Sequence, residues 1–154
     1  MSKIFVGLKG VIACCFSFLI VSNSLWAEPI AIIVHPSNSV EDIPVKELKN
    51  IFSGRKTQWD SGTEIGVVNR HATSEIRKQF YTVVLGAEPT RKFYLPGTNT
   101  QFQALIQESE KAAQLFVARS QNAISYVYMS EVTQEVKVVK IDGLTPTDDG
   151  YVLK

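Results

Sequence analysis

A continuous run of apolar residues near the start of the chain constrains its fold more than any other feature. Residues 29–34 read Pro-Ile-Ala-Ile-Ile-Val, and most of these side chains are β-branched. Because successive side chains of a strand point to opposite faces, a strand that is apolar throughout must be covered on both faces, as in a parallel sheet. We therefore expect this run to be the central strand of a sheet.

Strand and helix patterns alternate along the rest of the chain. Apolar, β-branched runs predict strands, whereas apolar residues at helical spacing predict helices. The expected strands are residues 65–68, 123–129 and 136–141, and the expected helices are residues 44–54, 74–86, a short one at 88–95 and a longer one around 112–118. This alternation predicts an α/β domain with a small, mainly parallel sheet and helices on both faces.

Four details of the pattern carry further expectations. In the longer helix, the buried face is expected to consist of Ala112, Leu115, Phe116 and Ala118. Trp59 is expected to close one end of the core with its N–H group hydrogen-bonded. Residues 96–100 form a clear break, either a loop over a pocket or a plain surface loop. The tail, residues 144–154, is expected to be peripheral.

The N-terminus has the layout of a secretory signal peptide. Lys3 and Lys9 form a basic region, residues 11–21 are almost entirely apolar, and residues 22–27 approach a cleavage site after Ala27. The apolar run is shorter than the roughly 20 residues of a membrane span, so no stable membrane insertion is expected after cleavage. The alternative is lipidation at Cys14, because residues 11–14 loosely resemble a lipoprotein cleavage box. We expect residues 1–27 to be removed and residues 28–154 to form one periplasmic domain.

Composition narrows the function of the remaining chain. Cys14 and Cys15 both precede the cleavage site, so neither disulfide nor thiol chemistry is expected. Removal of Lys3 and Lys9 changes 16 basic and 15 acidic residues to 14 and 15. This balance gives no electrostatic reason to expect nucleic acid or a membrane surface as a partner.

Motifs that would indicate an enzyme are absent from the sequence. The two histidines, His35 and His71, have no carboxylates or thiolates at metal-ligand spacing, and the chain has no nucleophile elbow, Walker-type loop or dinucleotide fingerprint. A catalytic role for His71 beside Arg70 would need an orienting partner that the sequence does not supply. We therefore expect no enzymatic activity, no metal site and no cofactor.

Residues 65–80 are the best candidate for a binding site. A strand, a polar turn and a helix follow one another here, and such a unit aims the first N–H groups of the helix at the turn, where they attract an anion. Arg70 supplies a permanent charge, and Thr73 or Ser74 can be the N-cap. The alternative is an ordinary capped surface helix with a solvated arginine. A second-line site is the turn after the first strand, where Ser37 and Asn38 either donate to a ligand or only form turn hydrogen bonds.

Four segments carry a resemblance to a known family. They are Val-Lys-Glu-Leu-Lys-Asn-Ile-Phe-Ser-Gly-Arg-Lys-Thr-Gln-Trp at 45–59, Val-Val-Asn-Arg at 67–70 with Ser74, Asn-Ala-Ile-Ser-Tyr-Val at 122–127, and Val-Lys-Val-Val-Lys-Ile-Asp-Gly at 136–143. In this order they resemble the periplasmic substrate-binding proteins of phosphate-type ABC importers, more closely the short proteins related to them. The resemblance covers roughly residues 30–146 and implies a fold like one lobe of a type 2 periplasmic binding protein.

The resemblance implies a site, a ligand and partners. The family's anion is bound by an arginine followed by Ser-Gly-Thr, so phosphate or a similar oxyanion is expected here, for uptake or sensing with an ABC permease or another envelope protein. The implied ligand-binding residues are Arg70, Thr73, Ser74 and the amides of Glu75 and Ile76, with Ser37, Asn38 and Tyr126 at the rim.

Two departures from the family support an alternative function. Glu75 and Ile76 replace the expected glycine and threonine, which adds a carboxylate and removes a hydroxyl. The expected domain is also long enough for only about one lobe, which would leave an open half-site. The alternative is an envelope protein-interaction or assembly module in which the anion site has decayed.

Overall fold

The computed structural model describes residues 27–154, so the expected signal peptide and the lipoprotein-like box lie almost entirely outside the described residues. One six-stranded sheet and three α-helices make up this part of the chain. The strands are β1 (Ile30–Val34), β2 (Asp42–Ile43), β3 (Gly66–Arg70), β4 (Leu105–Gln107), β5 (Ala123–Tyr128) and β6 (Lys137–Ile141), and the helices are α1 (Val45–Phe52), α2 (Glu75–Phe80) and α3 (Glu110–Arg119). No helix in residues 27–154 is long and apolar enough to cross a membrane.

Strand β1 lies inside the sheet, as expected. The strand order is β2-β6-β1-β5-β3-β4, and every residue of β1 is fully buried. However, β1 is antiparallel to both of its neighbours, β5 and β6, while the other three strand pairs are parallel. The apolar run correctly predicted that β1 is buried on both faces. Burial does not, however, indicate whether neighbouring strands run parallel or antiparallel.

Helices cover both faces of the sheet. On one face, α1 and α2 pack on a core in which the ring of Phe80 stacks on Tyr126 at 4.0 Å and meets Phe52 edge-on at 4.7 Å. On the other face, Ala113 and Val117 of α3 pack on alternate residues of β1, β3 and β5. The α/β prediction with helices on both faces is therefore confirmed.

Helix boundaries follow local chemistry. Helix α1 begins directly after Pro44, whose fixed φ suits a helix start, and Gly54 follows its end with φ +74°. Helix α2 continues into a π-helical turn, Tyr81–Leu85, and Gly86 ends it in the left-handed conformation at φ +60°. The glycine stops read from the sequence are therefore confirmed.

The segment between the π-helical turn and β4 is not helical, and this expectation was wrong. Residues 88–104 instead form a hairpin-like excursion in which Tyr94 pairs with Gln101 and the amide of Phe102 donates to Phe93 O at 2.9 Å. Residues 96–99 are its exposed tip. Phe93 and Phe102 bury part of their side chains against the main core, and these contacts outweigh the weak helical spacing.

The buried face of α3 was also misassigned. Ala113, Gln114 and Val117 face the core, whereas Phe116 is 36% exposed. Gln114 can be buried because its amide donates to Glu131 O at 2.8 Å and accepts from the Thr133 amide at 2.8 Å. Because both polar atoms of its side-chain amide are hydrogen-bonded, Gln114 can occupy a core position. The pattern of apolar residues had predicted that its neighbours would occupy the core instead.

The C-terminal tail is part of the core rather than peripheral. Tyr151 and Leu153 are buried, and Leu153 O accepts from the Ile30 amide at 2.8 Å. The hydroxyl of Tyr151 donates to Ile30 O at 2.8 Å. The tail therefore satisfies the backbone of Ile30 at the start of the central strand.

Candidate functional site

The turn after β3 begins later than the sequence indicated. Asn69 and Arg70 belong to the strand and are buried. The Asn69 side chain can be buried because its amide donates to the Tyr81 hydroxyl at 2.9 Å, while its oxygen accepts from the Arg70 amide at 2.9 Å and from the Tyr126 hydroxyl. This network holds the end of β3 against α2 and β5.

Arg70 is the central charged residue of the candidate site. Its side chain is 6% exposed and donates from Nη1 to Gln107 O, 2.8 Å away on β4. Within residues 27–154, its Nε is buried without a hydrogen-bond partner, and no carboxylate forms an ion pair with it. Buried charges in proteins are normally paired, so this guanidinium has unused capacity to bind an anion.

The first turn of α2 offers backbone donors a few residues after Arg70 in the sequence. Ser74 is the N-cap by position, but its hydroxyl donates to His71 O at 2.7 Å instead of capping the helix. In the described part of the chain, no acceptor is recorded for the N–H groups of Glu75 and Ile76. Thr73 contacts the His71 ring through its hydroxyl at 2.9 Å. Two free amides therefore start the helix, while both hydroxyls are engaged within the turn.

Glu75 does not occupy the turn. Its carboxylate pairs with Lys78 at 2.5 Å, one helical turn farther on, and its side chain is 79% exposed. The like-charge competition that Glu75 would impose on an anion is therefore reduced by distance, by Lys78 and by solvent. Ile76 is buried and contributes only its backbone.

Two further charged residues shape the site, and the sequence reading missed both. Arg77 is 9% exposed and donates from Nη1 to Arg70 O at 2.6 Å, which ties α2 to the end of β3. Glu110, at the start of α3, accepts from the Tyr128 amide at 2.7 Å. Burial raises the pKa of Glu110, and the Tyr128 hydrogen bond and the charge of Arg70 offset part of that rise. A sequence signal existed for Arg77, since Arg77 and Tyr81 are four residues apart on one helical face.

Of the three expected rim residues, Ser37 and Asn38 do not lie beside Arg70, and the third, Tyr126, is buried. Strand β3 runs parallel to β5, whereas β1 runs antiparallel to β5. The C-terminal ends of β1 and β3 therefore lie at the two opposite edges of the sheet at which strands begin and end. Ser37 and Asn38, which follow β1, are therefore at the far edge from Arg70. Tyr126 is fully buried inside the sheet, and burial raises its pKa. The expectation of a shared rim assumed parallel strands throughout.

Ser37 and Asn38 instead border a cavity of 420 Å³ at the far edge. Lys56 lies in its wall and pairs with Glu47 at 2.6 Å and with Asp60 at 2.9 Å. Trp59 is 7% exposed and donates from Nε1 to Asn122 O at 3.1 Å, which confirms its expected role at the end of the core. Asp42, Glu47 and Asp60 line this cavity against the single Lys56, so it is a weaker candidate for an anionic ligand.

Comparison with known sequences places the chain among binding proteins. Residues 19–154 match the profile of the PBP superfamily domain. The phosphate-binding protein PstS of Bacillus subtilis (strain 168) is 29% identical over 133 residues, which cover 82% of this chain and 40% of that protein.

Solved structures that resemble this chain belong to the same class of protein as its sequence relatives. A Clostridium perfringens protein described as a phosphate ABC transporter substrate-binding protein, solved with bound phosphate, superposes with a TM-score of 0.65 at 27% identity, over 78% of this chain and 47% of that one. PstS of Borrelia burgdorferi superposes with a TM-score of 0.67 at 15% identity, over 82% and 54% of the two chains, which concerns the fold alone. These matches confirm the resemblance read from the sequence motifs. The chain spans about half the length of these relatives, or less.

Proposed function

This chain belongs to the PBP superfamily, and from that premise we propose that it is a periplasmic, non-enzymatic solute-binding module for a small oxyanion such as phosphate. The printed names of its relatives support this ligand, since the Bacillus subtilis protein is a phosphate-binding protein and the Clostridium perfringens structure holds phosphate. The match covers only 40% of the first relative and 47% of the second, so the ligand is a proposal for the present protein.

The buried guanidinium of Arg70 is the observation that carries the proposal. An arginine that is 94% covered, with Nε unpartnered and no ion pair among residues 27–154, gains most from an anionic partner. A tetrahedral oxyanion accepts from a guanidinium fork and from backbone amides at the same time.

The neighbouring donors fit the same ligand. The amides of Glu75 and Ile76 begin α2, where the helix dipole favours negative charge. The hydroxyls of Thr73 and Ser74 are close in sequence and would have to exchange their present contacts with His71 for the ligand. Because a single lobe leaves the ion partly solvated, we expect a dissociation constant of about 0.1–1 mM rather than tight binding.

The N-terminal sequence pattern and the family support a periplasmic location. We propose cleavage after Ala27 and release of residues 28–154 into the periplasm, where an ABC permease or another envelope protein would receive the module.

Isothermal titration calorimetry with phosphate and sulfate tests the proposal directly. Wild type is expected to bind at least one of these ions, and Arg70→Gln is expected to lose about tenfold or more in affinity. Arg55→Gln, which removes an exposed arginine elsewhere, is the matched control and is expected to bind as wild type does. Absence of heat in wild type, or equal binding by Arg70→Gln, would reject the ligand.

The second candidate function is an envelope interaction module with a decayed anion site. It is favoured by Ile76, which has no hydroxyl, and by the exposed Leu105 and Ile106 on edge strand β4. The two functions differ in a thermal-shift assay, because a bound ion raises the melting temperature by mass action. A decayed site gives no shift with any oxyanion up to about 100-fold the expected dissociation constant.

A further inference from the structure

A second cavity lies on the other side of Arg77 from the turn after β3. Its volume is 220 Å³, and it lies between the end of α1, the end of β3, α2 with the following π-helical turn, and the 88–104 excursion. We call it the Arg77 cavity, defined by Phe52, Arg77, Tyr81, Lys92 and Phe102 among its lining residues. We propose that the Arg77 cavity binds a small organic anion with a ring-sized apolar body, such as an aromatic carboxylate.

The charge of the cavity is entirely positive. Arg77, Arg91 and Lys92 line it, and no aspartate or glutamate is among its lining residues in the described chain. Arg77 is 9% exposed, its Nε is buried without a partner within residues 27–154, and its guanidinium carbon lies 4.6 Å above the Tyr81 ring. The stacked ring holds the guanidinium plane in place, and the missing carboxylate leaves its charge uncompensated.

The Tyr81 hydroxyl has a hydrogen for which no acceptor is recorded within residues 27–154. Because the Arg70 amide donates to Asn69 Oδ1, the other end of that side chain must be the NH₂ group, which donates to the Tyr81 hydroxyl at 2.9 Å. Arg77 Nη2 donates to the same hydroxyl at 3.0 Å. A hydroxyl has two acceptor positions and one hydrogen, so Tyr81 has only its hydrogen left, and residues 27–154 offer it no recorded acceptor. An anion in the cavity would accept it.

Part of the cavity wall is aromatic, and most of the rest is polar or charged. Phe52, Tyr81, Phe93 and Phe102 line it, and the Phe102 side chain lies against Gly54, where a Cβ atom would come within 2.5–2.8 Å of it. A dry cavity of about 150 Å³ holds a benzene molecule, so 220 Å³ accommodates a ring together with a carboxylate group. Positively charged and aromatic residues in one lining favour an anion with a ring over a bare oxyanion.

The Arg77 cavity is separate from the site proposed for phosphate. Alternate residues of β3 face opposite sides of the sheet, so Asn69 faces the aromatic core while Arg70 faces the side of α3. Arg77 lies between the two sites and contacts Arg70 only through its carbonyl oxygen. The two ligands therefore need not compete.

Calorimetry of the purified protein with sodium benzoate, in a buffer free of phosphate, tests the inference. Wild type is expected to bind benzoate, and the double variant Arg91→Gln/Lys92→Gln is expected to bind about tenfold more weakly. Arg91 and Lys92 are exposed and form no ion pair within residues 27–154, so their replacement leaves the core intact. Arg55→Gln, which replaces an exposed arginine outside the cavity lining, is the matched control and is expected to bind benzoate as wild type does.

Two competitors define the ligand class. Benzyl alcohol has the same ring without the charge and is expected to bind about tenfold more weakly than benzoate. Inorganic phosphate is expected not to displace benzoate. The inference is overturned if wild type shows no benzoate heat, if the double variant binds equally well, if benzyl alcohol matches benzoate, if phosphate displaces benzoate, or if Arg55→Gln abolishes benzoate binding.

Discussion

Asn69 donates a hydrogen bond of 2.9 Å to the hydroxyl of Tyr81, and this pair joins the end of β3 to the helix that follows it. The same hydroxyl accepts from Arg77, so two buried donors depend on one oxygen atom. On the other side of Asn69, the Tyr126 hydroxyl donates to Oδ1, which also accepts from the Arg70 amide.

The two tyrosines of this network are expected to differ in importance. Tyr81→Phe leaves the donors of Asn69 and Arg77 without their acceptor and is expected to lower the free energy of unfolding by about 1–3 kcal/mol. Tyr126→Phe removes one of two donors to Asn69, keeps the stacking on Phe80, and is expected to cost about 0.5–1.5 kcal/mol. Urea unfolding measures both changes. A larger loss in Tyr126→Phe than in Tyr81→Phe would contradict this account of the network.

Gly54 is expected to tolerate no side chain. Its φ is +74°, and a Cβ atom would fall within 2.5–2.8 Å of the Phe102 side chain. Gly97 has a similar φ of +70° but nothing within 4 Å, so Gly97→Ala isolates the conformational cost of about 1 kcal/mol. Gly54→Ala is expected to cost at least about 1 kcal/mol more, because Phe102 must move as well. Equal melting temperatures for the two variants would show that Phe102 yields freely.

Leu153 is expected to contribute as much as a central core residue. It is fully buried, and the neighbouring Val152 is 42% exposed. Leu153→Ala is expected to lower the free energy of unfolding by about 2–5 kcal/mol, whereas Val152→Ala is expected to change it by less than about 0.5 kcal/mol. Denaturant unfolding of the pair checks the packing of the tail. Similar small effects in both variants would show that the tail does not contribute to the core.

Glu110 is expected to make stability depend on pH in the acidic range. Burial raises the pKa of this carboxyl in the folded protein, so the protonated form is favoured by folding. Its contribution to stability is fully present below its ordinary pKa of 4.5 and is lost as pH rises through the higher value of the folded state. Glu110→Gln removes this loss while keeping an acceptor for the Tyr128 amide. The variant is therefore expected to gain stability over wild type as pH rises from about 4.5 to 7.

Thermal melts at several pH values measure that gain. Glu108→Gln, at an exposed position two residues earlier, is the control and is expected to follow wild type at every pH. A constant difference between Glu110→Gln and wild type across this range would refute the role of Glu110 burial. Because Glu110 lies within electrostatic reach of Arg70, its replacement is also expected to strengthen oxyanion binding.

Local patterns were sufficient for most elements of the fold. The apolar run at β1, the glycine stops after α1 and after the π-helical turn, and the strands β5 and β6 all follow from residues close together in sequence. The edge strand β4 was missed because its Leu105 and Ile106 are exposed and have no alternation. The buried Gln114 was missed because its partners, Glu131 and Thr133, are on another segment.

Some residues of the candidate site could likewise be grouped from the sequence, whereas others could not. Arg70 and the start of α2 were proposed together from the sequence because they are a few residues apart, and so a strand-turn-helix pattern describes them together. Ser37, Asn38 and Tyr126 were grouped with them on the assumption that strand ends share one edge. The antiparallel pairing of β1 with β5 puts Ser37 and Asn38 at the opposite edge, and Tyr126 is buried.

By itself, the sequence determined most of the strands and helices, which strand is buried on both faces, and where a permanent charge precedes a helix start. Those properties depend on periodicity, turn residues and charge within a few positions of one another. Only the tertiary structure decided the direction of β1, the burial of Arg70 without a carboxylate partner, and the positive, aromatic cavity beside Arg77. These depend on hydrogen bonds and contacts between residues far apart in the chain, whose pairing is settled by packing of the whole domain rather than by any local preference.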